Sequence, residues 1–186
     1  MQERIIKFGP HSSLVGILTE ADTRQQKDLC VIISNSGLIH KPGPNRLSVK
    51  IARQLAAMGV CTFRFDFSGT GDSPLSGTAG NTLSANIAEI RSAMDKLSPV
   101  TGVSRFALYG LCSAAEVSFK ASLVDDRVSC LVLVDGYYHA PDVMDAVFPE
   151  AIHRCAVRYY RKSLFSRKRS SASASGKTRQ ETNSPF

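Results

Sequence analysis

The sequence holds no C-x-x-C pair, no apolar run long enough to span a bilayer and no apolar core behind its first residues, Met-Gln-Glu-Arg-Ile-Ile-Lys. The first absence matters because the five cysteines, at 30, 61, 112, 130 and 155, are odd in number and scattered. A disulfide framework and a zinc site are both disfavoured, and no metal or other cofactor is expected. The second and third absences argue against a membrane-spanning helix and a signal peptide, so the expected location is cytoplasmic. Acidic residues are scarce in one region only. Residues 1–150 carry 14 Lys and Arg against 15 Asp and Glu, whereas residues 151–186 carry 9 against 1, so the formal net charge of +7 resides in the tail. A fold-wide basic face for specific nucleic-acid binding is thereby disfavoured, and any polyanion contact belongs to the last segment.

What is present is an ordinary globular composition, 43% hydrophobic over 186 residues, enough for one domain with a sizeable core. Residues 3–8 and 13–19 are short β-type runs parted by Gly9-Pro10, which predicts an N-terminal hairpin. Leu29 to Ser34 is continuously apolar and β-branched, the pattern of a strand buried on both faces of a parallel sheet. A helix is predicted from Asn45, with Leu47, Ile51, Leu55 and Met58 on its apolar face and Gly59 closing it. Val60 to Phe67 reads as the next strand and runs into a glycine-rich loop, Ser68 to Pro74. A second helix spans Thr82 to Leu97, with Leu83, Ile87, Ile90, Met94 and Leu97 on one face. A strand up to Gly110, a helix from Ser113 to about Val124 and a buried strand from Val128 to Val134 complete the order. A hairpin followed by alternating strands and helices predicts a mostly parallel α/β sheet with helices on both faces. Function in such sheets sits beyond the carboxyl ends of the strands, here the loops at 35–44 and 66–74, position 112, and Asp135 to His139.

The stretch Arg105 to Ala115 organises this pattern. An apolar run ends abruptly in Gly-Leu-Cys-Ser-Ala, residues 110–114. A strand that turns at once into a helix holds the residue at its tip in a strained conformation with the side chain exposed, and tolerates only small neighbours. Gly110 and Ala114 satisfy that demand around Cys112, whereas centring the motif on Ser113 would put Leu111 where a small residue is needed. The tip also lies at a helix N-terminus, which stabilises a thiolate or a developing oxyanion. Cys112 is therefore the nucleophile candidate; the alternative is an inert buried thiol beside a strand-ending glycine.

Three motifs stand at the ends of successive strands: Asn35-Ser36-Gly37-Leu38-Ile39-His40 with Gly43-Pro44-Asn45-Arg46, then Arg64 to Ser73, then Gly110 to Ala115. Taken together they resemble the α/β hydrolases, and more closely the exosortase-system-associated hydrolases of the serine-aminopeptidase-like branch. The resemblance covers roughly residues 1 to 140, with a fainter echo of a helical cap in Tyr159 to Leu164. It implies Cys112 as nucleophile, as in relatives that use cysteine where most use serine, and an oxyanion hole made by the backbone N–H groups of Ser113 and Leu38. It implies no cofactor. Asp135 stands where some relatives place the triad acid, with a cap or turn role as the other reading, and His139 is the base candidate nearest to it. Asp66 and the glycines after it are expected to build a tight loop, and the Gly-Thr-Gly stretch lacks the lysine of a phosphate loop. His40 is expected to anchor its loop.

The family pattern continues with two more strands and a catalytic histidine that this sequence does not match, so the chain reads as C-terminally truncated. Its organisation is read as an incomplete hydrolase core at 1–150, the start of a helical cap at 151–166, and a basic, serine-rich disordered tail at 167–186. The expected activity is hydrolysis of ester, thioester or related acyl bonds in a small-molecule substrate. The alternative is an inactive remnant or an interaction module. A cut sheet would leave an apolar edge open to homo-oligomer formation, and the tail, where Leu164 and Phe165 interleave with Arg161, Lys162 and Arg167, suits weak contact with anionic membranes.

Overall fold

The β-branched and aromatic runs pair into one six-stranded sheet in a computed structural model that describes residues 1–21, 26–75 and 82–136. The strands are β1 (Glu3–Phe8), β2 (Leu14–Thr19), β3 (Cys30–Ser34), β4 (Cys61–Phe65), β5 (Phe106–Leu111) and β6 (Val128–Val134). The helices are α1 (Leu47–Ala57) between β3 and β4, α2 (Leu83–Thr101) between β4 and β5, and α3 (Ser113–Ser122) between β5 and β6. In space the strands run β1-β2-β4-β3-β5-β6. The predicted hairpin is there, with β1 antiparallel to β2 and β2 antiparallel to β4, while β4, β3, β5 and β6 are mutually parallel. The chain steps from β3 to β4 on one side and then crosses to β5 on the other. The winding reverses at β3, and the loops after β3, β4 and β5 converge at that switch point.

Alternation along the strands divides the apolar side chains between two layers of helix, as predicted. Ile32, Phe63, Phe65, Phe106 and Leu108 pack with Ile90, Met94 and Leu97 of α2 and Val117 of α3. Val31, Ile33 and Ala107 lie on the other face with Ile51 and Leu55 of α1. Phe8, Phe63, Phe65 and Phe67 form a chain of ring contacts with centroids 5.1–6.0 Å apart, three of the four pairs edge-to-face. Gly16 makes room for that chain, since a Cβ there would lie 2.1 Å from the Phe63 ring.

Three expectations are corrected. Leu47 and Met58 are exposed, and α1 turns Ser48, Val49, Ala52 and Ala56 inward instead. Those small residues let the helix lie close to the sheet, so the buried stripe is set one residue off the bulky one. Helix α2 runs through Pro99 to Thr101 and ends where Gly102 adopts φ 75° and donates to the Ser98 carbonyl at 2.9 Å. Proline costs a helix its hydrogen bond to the residue four before, but here the left-handed glycine three residues later sets the end. Third, β6 is not buried. Val132 and Val134 are 44% and 39% exposed, because β6 pairs with β5 alone among the described residues. No helix among the described residues is long and apolar enough to cross a membrane. Residues 151–166 and 167–186, the cap and tail of the sequence reading, lie outside the described residues.

Entry to β6 is pinned electrostatically. The buried Asp125 carboxylate accepts from Arg127 Nε and Nη2, at 2.9 and 2.8 Å, and from Arg91 Nε of α2 at 3.3 Å. Its hydrogen bonds from Arg127, outweighing burial, lower its pKa from 3.8 to about 2. A depressed carboxylate pKa stabilises the fold fully above the unfolded value and loses that contribution as pH falls through the folded one. Urea titration should therefore show stability declining between pH 4 and pH 2. Asp125→Asn should flatten that decline and cost about 1–2 kcal/mol at pH 7, allowing for partial solvent screening.

Candidate active site

The junction of β5 and α3 has the geometry that the motif demands. Cys112 sits between the last strand residue, Leu111, and the first helical residue, Ser113, at φ 53° and ψ −120°. A side chain held there is strained by about 1–3 kcal/mol and persists only where the surroundings impose it. They do so from both sides. The Cys112 N–H donates to the Val134 carbonyl at 2.8 Å, and its carbonyl accepts from the Ala115 N–H at 2.9 Å. A Cβ on Gly110 would lie 2.5 Å from both the Ala114 carbonyl oxygen and the Ala115 Cα, so only glycine lets α3 start this close to β5. The thiol is exposed, unlike those of Cys30 and Cys61, which are buried; Cys130 on β6 is the other exposed cysteine among the described residues. Glu116 lies in the first turn of α3, and no side chain caps it.

The loop after β3 folds into a tight turn beside this junction. Ile39 N–H donates to the Ser36 carbonyl at 2.9 Å, and the Asn35 side-chain amide donates to the Gly37 carbonyl at 2.8 Å. Asn35 Oδ1 meanwhile accepts from the Phe67 N–H at 2.8 Å, linking this loop to the one after β4. Gly37, at φ 52°, donates its N–H to Ser113 Oγ at 2.9 Å. That bond ties the turn directly to the residue after Cys112. The N–H groups of Leu38 and Ser113, the two expected oxyanion donors, have no acceptor among the described residues. Leu38 projects its side chain into solvent, 90% exposed, while its backbone stays with the turn.

Behind the turn lies a buried charge cluster that sequence reasoning missed. Lys41 donates its backbone N–H to Asp66 Oδ1 and its ammonium to Asp66 Oδ2 at 2.8 Å, and the ammonium also pairs with Asp72. Asp66 is completely buried and Lys41 nearly so. Burial alone would lower the lysine pKa, but the hydrogen bonds its ammonium donates to Asp66 and Asp72 outweigh it and raise it, while Lys41 lowers that of Asp72. A raised lysine pKa gives stability that is lost only as pH climbs through the folded value, so the cluster is intact across the neutral range. Gly71, at φ 55°, completes it, since a Cβ there would lie 2.2 Å from Asp66 Oδ2 and 3.4 Å from His40 Nδ1. The expected loop-building role of Asp66 thus has a partner. A lone lysine in a polar loop carries no periodicity or motif that would have disclosed it.

Asp135 follows β6 directly, exposed and at φ 52°, and its carboxylate has no partner among the described residues. His139 lies outside the described residues. His11 belongs to the turn between β1 and β2, which lies at the same end of the sheet as the loop after β4, with β4 and β3 standing between β2 and β5, and among the described residues no group of three or more His, Cys, Asp or Glu could hold a metal ion.

No family model and no curated protein matches the chain. Solved structures match its fold. A hypothetical protein from Pseudomonas aeruginosa is 20% identical, with a TM-score of 0.63 over 88% of this chain and 54% of its own. The α/β hydrolase GrgF from Penicillium sp. sh18 is 20% identical, with a TM-score of 0.61 over 86% of this chain and 56% of its own. An α/β serine hydrolase without a lid from Xanthomonas campestris is 19% identical, with a TM-score of 0.54 over 66% of this chain and 56% of its own. The fold is that of the α/β hydrolases, and the chain spans little more than half the length of these neighbours.

Lys41→Met should cost about 3–5 kcal/mol in urea unfolding, because it leaves the Asp66 carboxylate buried and unpaired. The double change Lys41→Met with Asp66→Leu should recover much of that loss; equal loss in both would show that the charge pair is not what holds the loops.

Proposed function

We propose that this chain carries the acyl-transfer site of a hydrolase acting on ester, thioester or related acyl bonds, with Cys112 as its nucleophile. The observation that carries the reading is the strained, exposed position of Cys112 at a strand-to-helix turn, beside a helix start that only Gly110 admits. One structural neighbour is a serine hydrolase, and here cysteine occupies the tip. The adjacent Ser113 is a poorer nucleophile candidate, because it is the first residue of α3 and its Oγ is engaged by the Gly37 N–H.

In this reading the Cys112 thiolate attacks the acyl carbonyl carbon and forms a C–S bond. The carbonyl oxygen takes up the charge between the N–H groups of Ser113 and Leu38, donors that have no acceptor among the described residues. Collapse of the intermediate expels the leaving group. A thiolate leaves without needing a proton, whereas an alkoxide must be protonated, so thioesters suit a site with no positioned acid. Water then cleaves the acyl-enzyme, a step that calls for a base. His139, with Asp135 as the acid beside it, is the candidate; without such a pair the acyl group would be released slowly. The resemblance of the three motifs to exosortase-associated hydrolases belongs to the same reading and names no substrate.

The purified chain should gain a single acyl mass when incubated with an activated thioester, with Cys130→Ser behaving like the parent and Cys112→Ala remaining unmodified. Persistence of the adduct would mean that acylation outlives turnover. Return to the free mass with continued product release, abolished in His139→Gln, would identify the base. Absence of Cys112-dependent labelling would sink the catalytic reading and leave a non-catalytic α/β-hydrolase fold.

A further inference from the structure

Two arginines of the family-like motifs, Arg46 and Arg64, play no part in the acyl site, yet the fold brings them together. They line an open cleft of about 360 Å³ on the α1 side of the sheet, with Arg53 and Glu3 as its other charged groups and Ile17 and Val49 among its apolar ones. That volume is at the lower end of the range for small-molecule sites, about 300–1,000 Å³.

Arg64 is the deepest charge, only 2% exposed. Its side chain leaves β4 on the face opposite Phe63 and Phe65. Its Nη2 donates to Glu3 Oε1 at 3.2 Å, but its buried Nε–H finds no acceptor among the described residues. A buried donor left unpaired is costly, more so on a charged group, and such a group in a cleft wants an acceptor. Glu3 is already shared, accepting also from Arg53 Nε at 3.3 Å and Nη2 at 3.4 Å. Arg46 has no ion-pair partner among the described residues and stands at the N-terminus of α1, whose first turn contains no acidic residue. Burial, and then the charges of Arg53 and Arg46, lower the Arg64 pKa against the opposing pull of Glu3. Among the described residues three guanidinium groups thus line the cleft with one carboxylate, leaving two uncompensated positive charges, to which the end of the helix dipole adds.

We infer that this cleft binds a small phosphate-bearing molecule, its dianionic phosphate held by Arg46, Arg53 and the Nε–H of Arg64, its organic part against Ile17 and Val49. A phosphate monoester matches the charge count, and its three terminal oxygens suit several guanidinium forks at once. A single carboxylate does not, because Glu3 already supplies one and the excess remains. The site shares no residue with the thiol, so occupancy does not depend on acyl chemistry.

Calorimetric titration of the full chain with inorganic phosphate, in chloride buffer at constant ionic strength, tests this. Saturable one-site binding is expected, unchanged in Cys112→Ala. Arg46→Gln and Arg53→Gln, both surface changes that leave Arg64 in place, should each weaken binding about tenfold. Glu3→Gln should tighten it, because the carboxylate competes with phosphate for the same guanidinium groups. No saturable binding to the parent, equal binding by the Arg46→Gln, Arg53→Gln double variant, or weaker binding by Glu3→Gln would each overturn the proposal.

Discussion

The approach of α3 to β5 is the constraint on which the candidate site depends. The helix begins so close to the strand that a Cβ at Gly110 would meet the backbone of Ala114 and Ala115 at 2.5 Å. Cys112 must then turn the chain within one residue and accept a positive φ. Exposure of the thiol, an N–H at the start of α3 with no acceptor among the described residues, and the position of Ser113 under the neighbouring turn all follow. A larger residue at 110 would push the helix away and release the strain that aims the side chain.

The second determinant is how the loop after β3 is held against that turn. One contact is local, from the Gly37 N–H to Ser113 Oγ, and one is remote, through the Lys41 pairing with Asp66 and Asp72. A fully buried carboxylate is tolerated because an ammonium and a backbone N–H both reach it. The loops after β3 and β4 consequently act as one body, further joined by Asn35 and the Phe67 N–H.

Much of this was legible before any coordinates. Short β-type runs and continuous apolar runs located all six strands of the described residues, and the small residues around Cys112 singled out the turn. The pentapeptide alone also fits an inert thiol beside a strand-ending glycine, and it is the strand before it and the helix after it that made the motif readable. The stripe of α1 was misread because its bulky residues, Leu47 and Met58, point to solvent while Ser48, Ala52 and Ala56 pack on the sheet; side-chain size misleads where close packing needs small residues. The burial of Val128 to Val134 was misread because an apolar run looks alike in the middle and at the edge of a sheet. Lys41 and the orphan donor of Arg64 were not legible at all, since both depend on residues between 25 and 61 positions away. The roles of Leu38, Ser113, Asp135 and His139 rest on the proposed chemistry and not on the fold.

A crystal structure of the chain after reaction with an activated thioester tests the central claim most directly. The account predicts an acyl group on Cys112 Sγ whose carbonyl oxygen lies about 2.7–3.1 Å from the Ser113 and Leu38 nitrogens. An acyl group on another cysteine, or a Cys112 adduct whose oxygen faces solvent away from both N–H groups, would contradict it.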